Sequence, residues 1–228
     1  MLTVVCFKWN DPNYRYGLRY TAAHVNVLRS MVRRHLSMPH EFVCVTDDSR
    51  GIDDDIRIVP IWPDYRELGG TWTRVKMFAA EMRELLGERI VMMDLDCVVT
   101  GSLDPLFDSD ADFITTLATN DASIYNTGFY MLRAGARRQV WDSFNPDLAR
   151  RVVKRDGQWE QGWLSYVLGE GERVWTAADG VLAYNRDCYR GNGSALPAGA
   201  RIVFFFGPYD PTRPEDQARS PWILDHWR

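Results

Sequence analysis

The 228-residue sequence predicts an α/β fold, with a mostly parallel mixed central sheet flanked by helices. Two observations carry that prediction. Short apolar runs alternate with segments of helical periodicity along most of the chain. The composition, 46% hydrophobic and 25% charged, is that of an ordinary globular protein. A chain this long buries most of its unfolded surface in folding, so it needs no disulfide or metal staple. No linker, internal repeat or low-complexity segment divides it, and one domain over 1–228 is expected.

Each element has a local reason. Leu2–Phe7 is a continuous apolar run, the pattern of a strand covered on both faces. After the Asn/Pro/Gly-rich loop Asn10–Gly17, apolar residues recur at Val25, Leu28, Met31, Val32 and Leu36, a helical spacing that Pro39 stops. Glu41–Thr46 reads as a second strand ending in the acidic turn Asp47–Asp48, and Ile56–Ile61 as a third. Gly69–Gly70 precede a predicted helix carrying Val75, Phe78, Ala79, Met82, Leu85 and Leu86 on one face, closed by Gly87. Ile90–Met93 is a fourth strand. Ala111–Leu117 and Thr127–Leu132 follow as strands, then helices around Arg137–Phe144 and over Trp159–Leu168. Arg201–Phe206 is the last strand, in an irregular C-terminal portion.

Charge and cysteine content exclude several classes. With 27 Lys+Arg against 31 Asp+Glu the net charge is −4, which argues against nucleic-acid binding as the main task. No apolar run approaches the ~20 residues needed to span a bilayer, and the N-terminus lacks a signal-peptide pattern. A soluble, cytoplasmic protein without a transmembrane segment is expected. Cys6, Cys44, Cys97 and Cys188 have no CxxC spacing and read as buried free thiols. The basic run Arg150–Arg155 reads as a solvated face.

In an open α/β sheet, ligands bind beyond the carboxyl ends of the strands. Asp94 and Asp96 stand there, directly after the fourth strand, and strand alternation puts both carboxylates on one side of the backbone. Two such groups repel unless a cation or a cluster of donors lies between them. Mg²⁺ or Mn²⁺ sharing its other positions with phosphates and water is a natural occupant, whereas a turn cap beside a solvated acid is the plain alternative. Arg74 and Lys76 lie where they can reach anionic oxygens, although solvated surface charges are the simpler reading of each.

Arg74-Val75-Lys76, Val91–Asp96 and the run Gly101–Asp108 resemble glycosyltransferase family 8, nucleotide-sugar enzymes of the GT-A (Rossmann-like) fold. Tyr125-Asn126-Thr127-Gly128 is similar to the family's segment beside the donor sugar. Trp159–Leu164 resembles its Asp-Gln-Asp-x-Leu helix start, Leu182–Asn185 its later apolar-Asn run, and Val4–Tyr14 stands in the place of its uridine-binding strand and loop. These segments keep the family's order, with 1–108 as the nucleotide-binding half and 109–228 as the acceptor-binding half.

The resemblance implies a metal-dependent enzyme moving a hexose from a UDP-sugar to a hydroxyl acceptor on a glycan, lipid carrier or protein, with retention. By it, Asp94 contacts the metal or the ribose, and Asp96, beyond Leu95, ligates the Mn²⁺ or Mg²⁺ that holds both phosphates of the donor. Arg74 contacts the donor sugar or diphosphate, and Lys76 does the same or only orients the Asp pair. Asn126 bonds a sugar hydroxyl with Gly128 permitting close approach of the backbone, and Gln161 lies beside the anomeric carbon. Phe7 and Trp9 border the uracil, with core packing an equal reading for Phe7. Asp47 reaches the nucleoside or only forms an acidic turn. Glu160 replaces the family's first Asp and is the one nearby acid able to act as a base, which leaves inversion open. The family's late His and Lys are absent: Phe204 and Asp210 stand in their places. His226 is therefore the first candidate for a third metal ligand and Asp210 the second. A sugar-nucleotide nucleotidyltransferase, or a non-catalytic binder of the same fold, are the alternative readings.

Overall fold

The computed structural model describes residues 1–10, 20–119, 122–153 and 159–228. Most of the Asn10–Gly17 loop, residues 11–14 of the segment matched to uridine binding, and residues 154–155 of the basic run lie outside them.

Ten strands are present among the described residues: β1 Leu2–Lys8, β2 His40–Thr46, β3 Arg57–Pro60, β4 Arg89–Met93, β5 Cys97–Val99, β6 Phe113–Leu117, β7 Tyr125–Arg133, β8 Arg173–Trp175, β9 Val181–Ala183 and β10 Ile202–Phe204. Seven form one sheet in the order β3-β2-β1-β4-β7-β6-β8. Its pairs are parallel except where β7 runs antiparallel to both β4 and β6. The expected mostly parallel mixed sheet is what forms. Since β7 reverses direction twice over, β6 and β8 end at the same edge as β1 and β4. A second sheet, β5-β10-β9, follows β4 directly in the chain through β5, and its β5–β10 pairing is extended where the Phe205 amide donates to the Asp96 carbonyl at 3.0 Å.

Every residue of β1 is buried, because the strand is central and both faces are covered. On one face Val4, Cys6, Val91 and Met93 pack with Val25, Leu28, Met31 and Val32 of the helix Ala22–His35 and with the second sheet. On the other, Val5, Phe7, Ile90 and Met92 meet the turn Trp72–Phe78 and the helix Trp159–Leu168. Each such aliphatic side chain stabilises the fold by about 1.5–3 kcal/mol on burial, so alternate residues of one strand anchor two separate layers. All four cysteines are buried free thiols.

The helix expected over residues 70–86 is broken. A 3₁₀ segment, Trp72–Phe78, stops at Ala79, whose backbone is extended (φ −69°, ψ 146°), and a short helix follows at Met82–Leu86. Val75, Phe78, Ala79, Met82 and Leu86 are all buried in either arrangement, so their spacing does not distinguish one long helix from two pieces. The helix expected around Arg137–Phe144 shortens to Gln139–Asp142, with a second at Pro146–Val152 capped by Asn145, whose side chain accepts from the Leu148 amide. Among the described residues no helix is long and apolar enough to cross a membrane.

Candidate active site

Arg74 organises the carboxyl edge of the central sheet. It lies in the 3₁₀ segment and is 8% exposed. One arm of its guanidinium donates to Asp94 Oδ1 and the other to Glu160 Oε1 at 3.0 Å. Its carbon lies 5.8 Å from the ring centroids of both Phe7 and Trp9, so the end of β1 and the residue just after it give it an aromatic wall. Burial alone would lower its pKa; Asp94 and Glu160 outweigh that and raise it, keeping the guanidinium charged.

Glu160 opens the helix Trp159–Leu168 and is buried. Thr127 Oγ1 donates to its Oε1 at 2.9 Å, and Thr71 Oγ1 donates to Oε2. Both carboxylate oxygens are therefore occupied. This helix is clamped to the start of β7 by Ser165, whose hydroxyl accepts from the Ile124 and Tyr125 amides at 3.0 and 3.1 Å and donates to the Gln161 carbonyl at 2.7 Å. The clamp fixes Gln161 beside Asn126, whose Nδ2 lies 3.4 Å from Gln161 Oε1.

The chain turns tightly around Asp94. Its amide donates to the Gly128 carbonyl at 2.8 Å, and the Gly128 amide donates to Asn126 Oδ1 at 2.7 Å. A methyl group at Gly128 would lie 2.6 Å from Asp94 Oδ2 and 2.9 Å from Asn126 Oδ1. Leu95 turns away into the core at 1% exposure, and the Asp96 carboxyl lies within reach of the charge of Asp94. Burial, then the nearby Asp94, push the Asp96 carboxyl up to about 8, with Asp210 adding to the rise and a hydrogen bond from Tyr20 opposing it.

The remaining candidates are dispersed. Asp47 accepts from the Asn10 amide through both oxygens at 3.3 Å, holding the chain that leaves β1. Lys76 is turned away from the carboxylates: its Nζ lies 5.4 Å from the Trp62 ring centroid and 5.9 Å from that of Trp141. His226 ends a short C-terminal helix lying along Ala22–His35, where its carbonyl accepts from Arg34 and its ring is influenced by Asp225, Arg34 and Arg228. The structure thus brings neither Lys76 nor His226 to the Asp94–Asp96 pair. Asp210 does approach Asp96 and is buried, but its Oδ1 is taken by the Thr212 amide and hydroxyl.

Among the described residues no three His, Cys, Asp or Glu side chains form a group able to hold a metal ion. Asp94 and Asp96 nevertheless supply hard oxygens. Two carboxylates fit a Mg²⁺-like ion that takes its other ligands from substrate phosphates and water. Thr71, Thr127 and Ser165 were not singled out from the sequence. Thr127 sits inside the matched Tyr125–Gly128 segment, but nothing in the chain order pairs it with Glu160.

No family model matches the sequence, and no curated protein does. Solved structures do. The galactosyltransferase LgtC, determined with donor and acceptor sugar analogs, superposes with a TM-score of 0.61 at 14% identity, over 100% of this chain and 97% of that one. The glycosyltransferase GlyE of Streptococcus pneumoniae TIGR4 gives 0.60 at 12% identity, over 100% of this chain and 62% of that one. At such identities the likeness is one of fold: the chain has the mixed α/β architecture of GT-A-like glycosyltransferases.

Proposed function

We propose that the chain is a metal-dependent glycosyltransferase that moves a hexose from a UDP-sugar to a hydroxyl on a glycan, lipid-linked or protein acceptor, with retention of configuration. The observation that carries this reading is the Arg74 guanidinium fixed between Asp94 and Glu160, with Asp96, Asn126 and Gln161 around it, at the strand edge of a glycosyltransferase fold.

Asp94 and Asp96 would hold Mn²⁺ or Mg²⁺, which supplies Lewis-acid stabilisation of charge developing on the departing phosphate. Arg74 sets the direction of Asp94 and adds fixed positive charge in a buried place, where it acts strongly on an anionic donor. Trp9, half-buried just past β1, is the ring that can border the nucleobase, whereas Phe7 is 2% exposed and packs in the core, the other reading the sequence allowed. Asn126 and the backbone at Gly128 face the sugar, with Gln161 held next to Asn126.

Glu160 does not suit the role of base. Arg74, Thr127 and Thr71 already bond its two oxygens, and it is 6% exposed. This supports retention over an inverting path through Glu160, with Gln161 positioning the sugar and the leaving phosphate taking the acceptor proton. The test is release of UDP from a panel of UDP-hexoses, with product configuration read by NMR. Gln161→Ala should lower turnover at least tenfold while UDP affinity stays within about twofold. Equal losses in both make Gln161 a binding residue, and pyrophosphate release from UTP plus a sugar phosphate makes the chain a nucleotidyltransferase.

A further inference from the structure

In and around Arg74 the protein leaves buried polar atoms unmatched. Arg74 Nε, the Tyr130 hydroxyl and Thr73 Oγ1 are buried with no hydrogen-bond partner among the described residues. Tyr130 is 2% exposed and Thr73 1%. An unmet buried donor or acceptor costs about 1–3 kcal/mol, and folded proteins meet nearly all of them, by internal water where no protein group serves.

Strand register places Tyr130 beneath the site. It pairs with Met92; Met93 pairs with Phe129, and one step further out the Asp94 amide meets the Gly128 carbonyl. Alternation puts Tyr130 on the face that carries Asp94, two residues along the neighbouring strand. Gly128 presents no side chain between them. The Tyr130 ring stacks on Phe78 at 5.5 Å, and Phe78 closes the same 3₁₀ segment that carries Arg74 and Thr73. Burial raises the phenol pKa, and Arg74, Glu160 and Asp94 all act on it electrostatically, so the hydroxyl stays protonated within their field.

We propose that Arg74 Nε and the Tyr130 hydroxyl share an internal water, and that Tyr130 is thereby a positioning residue for the guanidinium. Nε–H donates to the water, and the water and hydroxyl bond each other; Thr73 Oγ1 is the group next in line for the water's remaining bond. The third edge of the guanidinium is then anchored like the two that hold Asp94 and Glu160. What Arg74 is positioned for rests on the function proposed above, while the water and its anchoring do not.

The first test is the ¹⁵N-labelled protein without ligand. The Arg74 Nε–H resonance, assigned by its loss in Arg74→Lys, should exchange slowly with solvent. Tyr130→Phe keeps the ring and should shift this resonance and speed its exchange about tenfold, the worth of one hydrogen bond. Thr73→Val is the second variant, with the same direction expected. An unmoved resonance and unchanged exchange in Tyr130→Phe overturn the proposal. A high-resolution crystal structure of the unaltered protein checks it independently of any variant. Density for a water between the two groups supports it, and a hydroxyl bonded directly to a protein atom overturns it. Titration with UDP and Mn²⁺ separates the two readings: no binding by the parent protein removes the nucleotide role of Arg74 and leaves the resonance experiment to decide the water.

Discussion

Gly128 sits where two functional side chains converge, and its missing side chain is a requirement of space. A β-carbon there would come within 2.6 Å of Asp94 Oδ2, closer than any ordinary contact, so Gly128→Ala must displace the carboxylate. We expect the variant to fold and to bind UDP with Mn²⁺ at least tenfold more weakly by calorimetry; parental affinity would show that Asp94 is not needed in place. Glu160 poses the opposite problem. Its charge is matched by Arg74 in a buried setting, where removing one partner of an ion pair costs about 3 kcal/mol. Urea unfolding of Glu160→Gln should show a loss of that order. A variant as stable as the parent would mean that the pair contributes nothing to the fold. The Asp94-x-Asp96 pair stands out in the sequence as two acids directly after an apolar strand, but β4 ends at Met93 and the chain bends just beyond it, so strand alternation does not fix their sides. The positions of Lys76 and His226 were not legible from sequence, since each depends on where a remote segment lands: Lys76 on Trp62 and Trp141, His226 on Arg34.

Among the elements, the helix Ala22–His35 shows how a short connection is held. At its end the Ser37 and Met38 amides donate to Asp104 Oδ1 at 2.9 and 3.2 Å, and the Ser37 hydroxyl donates to Oδ2 at 2.9 Å. Slight burial would raise the Asp104 carboxyl, but these bonds and that from Ser102 outweigh it and hold it below the ordinary value. A depressed carboxyl stabilises the folded state above the pKa of the unfolded chain, about 3.9, and that contribution is lost as pH falls through the folded value. Asp104→Asn should therefore cost up to about 1 kcal/mol at pH 7 and progressively less below pH 4; a gap that does not narrow on acidification would contradict the assignment. The same scale explains what sequence reading reached. β1, β2 and β4 announce themselves because continuous burial leaves continuous apolar runs. Three-residue strands such as β8 and β9 carry too few residues to show a period, and the break at Ala79 preserves the buried stripe that a single helix would have had.

Across the whole molecule, the mixed sheet is the device that assembles the site. Because β7 is antiparallel to β4, its start brings Asn126, Thr127 and Gly128 to the same edge at which β4 delivers Asp94 and Asp96. The helix Trp159–Leu168 then delivers Glu160 and Gln161 from the face that also carries Arg74. The second sheet bonds Asp96 through the Phe205 amide, and Phe204 is a core residue whose ring centroid lies 5.2 Å from that of Phe129. The site therefore has two acidic oxygen donors and a fixed arginine, with no histidine from the last strand. The most direct test of a diphosphate-bridging cation at Asp94 and Asp96 is a thermal-shift titration with UDP, in Mn²⁺ and again in EDTA, on the parent protein and Asp96→Asn. At 100 times its Kd a ligand stabilises the folded state by about 2.7 kcal/mol, enough to raise Tm visibly. The account predicts a rise in the parent with Mn²⁺, little or none in EDTA, and none in Asp96→Asn under either condition. A rise of equal size with and without Mn²⁺, or one that survives Asp96→Asn, would contradict it.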